Sequence, residues 1–263
     1  ELIATASDDR TVKLWHIDGT LKTNFTGHGG ETYKVAFSPD GKFIASTSLD
    51  RTIKLWRMDG SLAYTSLGHN APVTDVNFMS DGTTFISSGF DKTIRFWRLN
   101  NVSANQINTI AKQTIFAHQA TITDIDLSQD NQLIASVSHD RYLKLWRGDG
   151  TLIKAIPADT TGLRAVAISP NKQIIATAGK EQNIKLWNIK GELIKIISAH
   201  SGAVLDVEFS PDGQKIASSS ADDTIKIWDA DGKLLTTLRG HSDRVWDVAF
   251  SPNSNQLASV SED

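Results

Sequence analysis

The stretch Gly27–Trp56, GHGGETYKVAFSPDGKFIASTSLDRTIKLW, is one period of a repeat. It opens on Gly27-His28 and closes on Leu55-Trp56; the same unit restarts at Gly68-His69 and ends at Trp97. Trp15, Trp56, Trp97, Trp146, Trp187 and Trp228 are spaced by 41, 41, 49, 41 and 41 residues. His28, His69, His118, His200 and His241 follow the same grid, with one double interval; Trp246 lies off it. A period of this length means an array of one supersecondary unit, so it governs how every single residue is read.

Each period holds four short apolar runs, here Tyr33–Ser38, Phe43–Ser48, Thr52–Arg57 and Leu62–Leu67, called a, b, c and d. They are rich in β-branched and aromatic residues and too short for stable helices. Turn chemistry separates them: Ser38-Pro39-Asp40-Gly41 between a and b, Asp59-Gly60 between c and d. Four antiparallel strands per period, stacked radially, make a propeller blade. The expected fold is therefore all-β, a β-propeller of four-stranded antiparallel blades.

The whole chain reads as one domain, 1–263. A partial unit at 1–26 supplies b, c and d; full units start near 27, 68, 117, 158 and 199; a partial unit at 240–263 supplies a and b. That makes six a, seven b, six c and six d runs, about six and a quarter blades. Seven units of 41 with the one insertion would need 32 residues more than the 263 present. A seven-bladed ring or longer array, cut short in this chain, is expected. The competing six-bladed ring would pair Val245–Ser251 directly with Leu2–Ser7. Between Trp97 and His118 the c–d connection carries eight extra residues within Asn100–Lys112. This reads as a tolerated loop insertion, with a dedicated binding loop as the alternative.

Composition narrows the function. Net charge is −3 with no basic tail, so a nucleic-acid partner is not expected. No apolar run is long enough to span a bilayer and no signal-peptide-like start is present, so no membrane association is expected. The absence of cysteine favours a reducing, cytoplasmic setting. The first residue, Glu1, suggests a piece of a larger polypeptide.

The GH opening, the Ser-Pro-Asp-Gly turn, the ASxSxD run and the TIKLW ending resemble the WD-repeat family over nearly the whole chain, in phase. One departure is that Trp is followed by His16, Arg57, Arg98, Arg147 and Asn188, and by Asp only at Asp229. The resemblance implies a buried hydrogen-bonded chain from Trp through Ser and His to Asp in each unit. The members would be His28, Ser46, Asp50 and Trp56; His69, Ser87, Asp91 and Trp97; His118, Ser136, Asp140 and Trp146; His200, Ser218, Asp222 and Trp228. The chemistry is consistent: indole only donates, hydroxyl and neutral imidazole do both, and carboxylate accepts. Ser, His and Asp met once could be a nucleophile and its base. Met in every period they are a structural fixture, so no catalytic residue is assigned and the chain is read as not an enzyme. No metal-ligand cluster, phosphate loop or nucleotide fingerprint appears, so no metal or cofactor is expected. One unit departs: Asp159 stands where His is expected and Glu181 where Asp is, with Thr177 and Trp187 retained. Two ionised carboxylates cannot bond each other, so this unit reads either as drift in a redundant array or as a softened blade.

The resemblance also implies a binding face, carrying the d–a and b–c connections, with side chains at the fifth residue after His and the residue before Asp. The first set is Tyr33, Thr74, Thr123, Arg164, Leu205 and Trp246; the second is Asp8, Leu49, Phe90, His139, Lys180, Ala221 and Glu262. Trp246, Tyr33, Leu49 and Phe90 form an expected apolar sector, with Leu205 among the candidates; His139, Arg164 and Lys180 form a basic one. The expected function is a non-catalytic interaction, scaffold or sensor module binding a protein or peptide. The alternative is a propeller with a small-molecule or catalytic pocket at its central channel.

Overall fold

The computed structural model describes residues 2–103 and 106–263. Glu1 of the first partial unit and Ala104 and Asn105 of the insertion lie outside the described residues. The described chain is all strand and turn, with 25 strands. At four to a blade this is six and a quarter blades, as the repeat predicts. The chain divides into two compact units, Glu1–Thr123 and Asp124–Asp263.

The first unit begins with a three-stranded sheet of β1 (Leu2–Ala6), β2 (Thr11–His16) and β3 (Leu21–Thr26). A complete blade follows: β4 (Thr32–Phe37), β5 (Phe43–Ser48), β6 (Ile53–Arg57) and β7 (Leu62–Ser66), hydrogen-bonded in that order. The next is β8 (Val73–Phe78), β9 (Thr84–Gly89), β10 (Thr93–Ser103) and β11 (Gln106–Phe116). Strands β10 and β11 differ from the expected loop. The insertion lengthens both strands of the c–d hairpin to 11 residues, and pairing continues out to Ser103 opposite Gln106. An antiparallel hairpin satisfies its own backbone groups, which an irregular loop of this length would leave to water. At its base the Thr109 hydroxyl lies 2.7 Å from that of Ser66 on β7.

The second unit takes in the blade that starts with β12 (Ile122–Leu127) and continues with β13 (Leu133–Ser138), β14 (Tyr142–Arg147) and β15 (Leu152–Pro157). Two more complete blades follow: β16 (Leu163–Ile168), β17 (Ile174–Gly179), β18 (Asn183–Asn188) and β19 (Leu193–Ser198), then β20 (Val204–Phe209), β21 (Lys215–Ser220), β22 (Thr224–Asp229) and β23 (Leu234–Arg239). A two-stranded sheet, β24 (Val245–Phe250) with β25 (Leu257–Ser261), ends the chain. The partner of β24 is β25 and the partner of β1 is β2, in different sheets.

Within each unit the blades share their cores through the repeated tryptophan. Trp56 clusters with Val12 and Leu14 of the preceding c strand, and Trp97 with Ile53 and Leu55. In the second unit Trp187 clusters with Leu143 and Leu145, and Trp228 with Ile184 and Leu186. Each indole thus seals its own blade to the one before it. Glycine ahead of the histidine leaves room for this: a Cβ on Gly68 would stand 2.9 Å from the Trp97 ring.

The inner strands of the second unit are joined by carboxylates. Asp124 and Asp126 on β12 accept the N–H groups of Val166 and Ile168 on β16, at 2.8 and 2.6 Å. Asp206 and Glu208 on β20 accept those of Val248 and Phe250 on β24, at 3.1 and 2.7 Å. The inner edge of a blade has no further strand to pair with, and these side chains supply the missing acceptors.

Every complete b–c turn places a residue other than glycine in the left-handed region: Arg10, Arg51, Lys92, Arg141, Gln182 and Asp223 have φ between 64° and 75°. This conformation costs about 1–2 kcal/mol for an L-residue. In the Arg51 turn it is held by Asp50, whose carboxylate accepts the Thr52 N–H at 2.9 Å and its hydroxyl at 2.6 Å. Arg51→Gly is expected to match or exceed the parent in urea midpoint. Arg51→Val, β-branched at the same φ, should lose about 1–2 kcal/mol. Coincident midpoints for all three, with unchanged slopes, would show that the turn carries no strain.

Candidate functional site

Two sets of residues converge near the d–a and b–c loops: a buried network beneath them and a row of variable side chains above it. The network starts at the indole. Trp56 Nε1 donates to Ser46 Oγ at 2.7 Å, Ser46 Oγ lies 2.7 Å from His28 Nε2, and His28 Nδ1 lies 2.9 Å from Asp50 Oδ2. A neutral imidazole protonated on Nδ1 satisfies the chain in one direction: indole to hydroxyl, hydroxyl to Nε2, Nδ1–H to carboxylate. Asp50 also accepts the Gly29 N–H at 2.8 Å, which anchors the d–a loop. The bonds recur as Trp97 to Ser87 at 2.8 Å, Ser87 to His69 at 2.7 Å and His69 to Asp91 at 2.8 Å. Trp228, Ser218, His200 and Asp222 repeat them at 3.0, 2.8 and 3.1 Å. Trp146 donates to Ser136 at 2.9 Å, and His118 is buried. In the terminal sheets Trp15 donates to Thr5, and His241 stands 2.9 Å from both Asp263 and Ser259.

The unit without histidine is wired differently. Trp187 donates to Thr177 at 2.9 Å. Glu181 accepts the Thr160 N–H at 2.8 Å and the Lys185 ammonium at 2.6 Å. Lys185 also donates to the Ala158 carbonyl at 2.8 Å. Asp159 turns back on its own loop and accepts from the N–H groups of Thr161 and Gly162. The two carboxylates find separate donors, so the loop is tied down without an imidazole.

Burial holds the imidazoles of His28, His69 and His200 below the usual histidine range, against the opposing pull of Asp50, Asp91 and Asp222. Burial alone would raise the carboxyl of Asp50, but bonds from Thr52, Gly29 and His28 outweigh it and hold it at about 2. Glu181 is likewise held at about 2, its burial outweighed by Lys185 and Thr160.

Above the network, in four blades the residue before the network carboxylate donates its backbone N–H to a d–a loop carbonyl. Leu49 donates to Glu31 and Phe90 to Pro72, both at 2.9 Å; Ala221 donates to Ala203 at 2.9 Å and Lys180 to Gly162 at 3.4 Å. The backbone is pinned and the side chain is left to project. Leu49, Phe90 and Trp246 are 41%, 44% and 39% exposed. His139 and Lys180 are exposed, and Tyr33 and Arg164 are half-buried. Leu205 is only 9% exposed and offers little surface. Tyr33 belongs to the first unit with Leu49 and Phe90, and its hydroxyl is pushed up by burial and by the nearby Glu31 and Asp8. In the second unit the aromatic and basic positions are not separate: the Arg164 guanidinium lies over the Trp246 ring, 5.9 Å from its centroid. Arg244, which no repeat position flagged, is close enough to depress the Arg164 pKa. Its signal in the sequence was only its place two residues before Trp246. Among the described residues no group of three or more His, Asp or Glu side chains is placed to hold a metal ion, and no helix is long and apolar enough to cross a membrane.

Two outcomes follow from the network. Folded His28, His69 and His200 bind protons less readily than unfolded histidine, near 6.5. Their contribution is therefore complete above pH 6.5 and is lost as pH falls below it. The lowered carboxylates add a second loss, from 3.8 down towards about 2 for Asp50. Urea midpoints should fall between pH 7.5 and 5.5; a flat profile over that range would contradict the burial of neutral imidazoles. Second, Trp97→Ala should cost about 3–5 kcal/mol. Trp97 is 1% exposed, stacks on Phe85 and leaves Ser87 without its donor. Trp187→Ala, in the unit without the imidazole, should cost less; equal shifts in denaturant midpoint would show that the missing histidine does not weaken the network.

Comparison with known proteins agrees with this geometry. Over 44 residues the chain is 46% identical to Nuclear distribution protein PAC1 of Tuber melanosporum (strain Mel28), a stretch that is 17% of this chain and 10% of that protein. The chain therefore matches about a tenth of that relative's length, little more than one period. The family described as WD domain, G-beta repeat matches residues 1–16, 19–57, 60–98, 110–147, 150–188, 191–229 and 232–263. With blades, turns and repeat signature matched from end to end, the chain belongs to the WD40 repeat family.

Proposed function

We propose that the chain is a non-catalytic interaction module, a scaffold or sensor part of a larger, cytoplasmic protein. It binds a protein or peptide through the face of the d–a and b–c loops. The observation that supports this reading is the pinned loop backbone with variable, exposed side chains. Repeated residues spend their polar groups on one another beneath the loops, while Leu49 and Phe90 project from pinned loop backbone and Trp246 from strand β24. Preorganised anchors of this kind lose little entropy on binding. A WD40 fold and the likeness of one period to a nuclear distribution protein agree with a scaffold role. Neither names a partner.

The test is capture of a partner by the intact chain, its identification, and direct titration against a Phe90→Ala, Trp246→Ala double variant of unchanged melting temperature. Aromatic anchors typically cost about 2 kcal/mol each when cut to alanine, so the double variant should lose binding on the order of a hundredfold or more. Binding retained in full by that variant, but lost on trimming Asn100–Lys112, would move the site to the opposite face and defeat the proposal.

A further inference from the structure

Five side chains of the second unit gather where the scaffold makes no use of them. His139 sits in the turn between β13 and β14, Arg164 on β16, Lys180 in the turn between β17 and β18, and Arg244 and Trp246 at the start of β24. Strand β20 lies between β16 and β24 and packs against both, so the Arg164–Trp246 contact reaches across an intervening blade. His139 abuts the backbone two residues before Arg164: a Cβ on Gly162 would stand 3.5 Å from the His139 Cα. Lys180 is bonded to the same Gly162 through its N–H. The charges interact: burial and Arg244 depress Arg164, while burial, Arg164 and Lys180 depress His139.

This arrangement costs the free protein stability. Among the described residues none of the four basic side chains forms an ion pair. Arg164 Nε is buried with no acceptor. An unmet donor on a charged group is expensive, and like charges nearby add to it. Stacking on Trp246 offsets part of this. A linear apolar side chain in the same place would keep van der Waals contact with the ring, lose only the cation–π attraction and carry neither cost, so packing alone does not account for a guanidinium here. An anion docked on the cluster would offset part of its charge and relieve the repulsion between its cations. The cationic patch is small and the chain as a whole carries −3, so a single acidic group suits it better than an extended polyanion.

We propose that Arg164, Arg244 and Lys180, with Trp246 as platform, form a subsite for a carboxylate side chain of an acidic peptide segment in the partner. This deepens the interaction reading above and rests on it. The probe is a fluorescein-labelled octapeptide of central glutamates flanked by glycines, titrated into the full chain beside its glutamine counterpart. The glutamate peptide should bind and weaken as salt rises; the glutamine peptide should not bind. Arg164→Met should weaken binding on the order of tenfold while its melting temperature stays level or rises, a combination that a structural role does not produce. Exposed Arg244→Gln and Lys180→Gln test the same cluster if Arg164→Met folds poorly. Equal affinity for the two peptides, or parent-like glutamate binding by all three variants, would overturn the subsite. Either result leaves the interaction face standing, because that reading fails only in the Phe90, Trp246 titration.

Discussion

The indole-to-carboxylate hydrogen-bond chain is the constraint on which the rest of each blade depends. Trp56 lies on strand c, Ser46 on strand b, His28 in the d–a loop and Asp50 in the b–c turn. Four separate segments are thus tied through buried polar atoms, each of which would be costly if left unmet. The same indole fills the core between its blade and the preceding one. Local order and the packing of neighbouring blades are therefore set by one residue. The strained b–c turn belongs to the same device: the aspartate that receives the histidine also caps the turn whose next residue is left-handed.

The unit with Asp159 and Glu181 shows what this constraint requires. It does not require histidine; it requires that the indole and the loop carboxylates find partners. Glutamate takes the loop N–H and the lysine of strand c, and Asp159 caps its own loop. The lengthened hairpin makes the same point for the backbone: eight more residues are accommodated by continuing a ladder that already existed.

Repetition also separates two kinds of residue. Those that recur build the scaffold and are satisfied within it. Those that differ between units include Leu49 and Phe90, which stand on pinned loops with their side chains outward. Arg164 is the sharpest departure, a partly buried cation whose Nε the scaffold leaves without an acceptor.

Strand number, blade composition and turn positions were legible from the 41-residue period, because alternation, turn chemistry and phase are local properties repeated until they are unambiguous. The members of the network could be named from the same phase. What the sequence could not show was geometry set by packing. Nothing in Asn100–Lys112 announced a hairpin over a loop, since either accommodates a polar, glycine-free stretch. Leu205 and Trp246 occupy equivalent positions in the period, yet one is 9% and the other 39% exposed, a difference that phase along the chain does not carry. The aspartates on the inner strands take their role from N–H partners 42 residues away, which no local pattern marks. The Arg164–Trp246 contact joins residues from two blades across a third. The amino-acid sequence by itself determined the blade and its repetition. Only the tertiary structure decided which variable side chains meet, because that depends on distances between blades and not on phase along the chain.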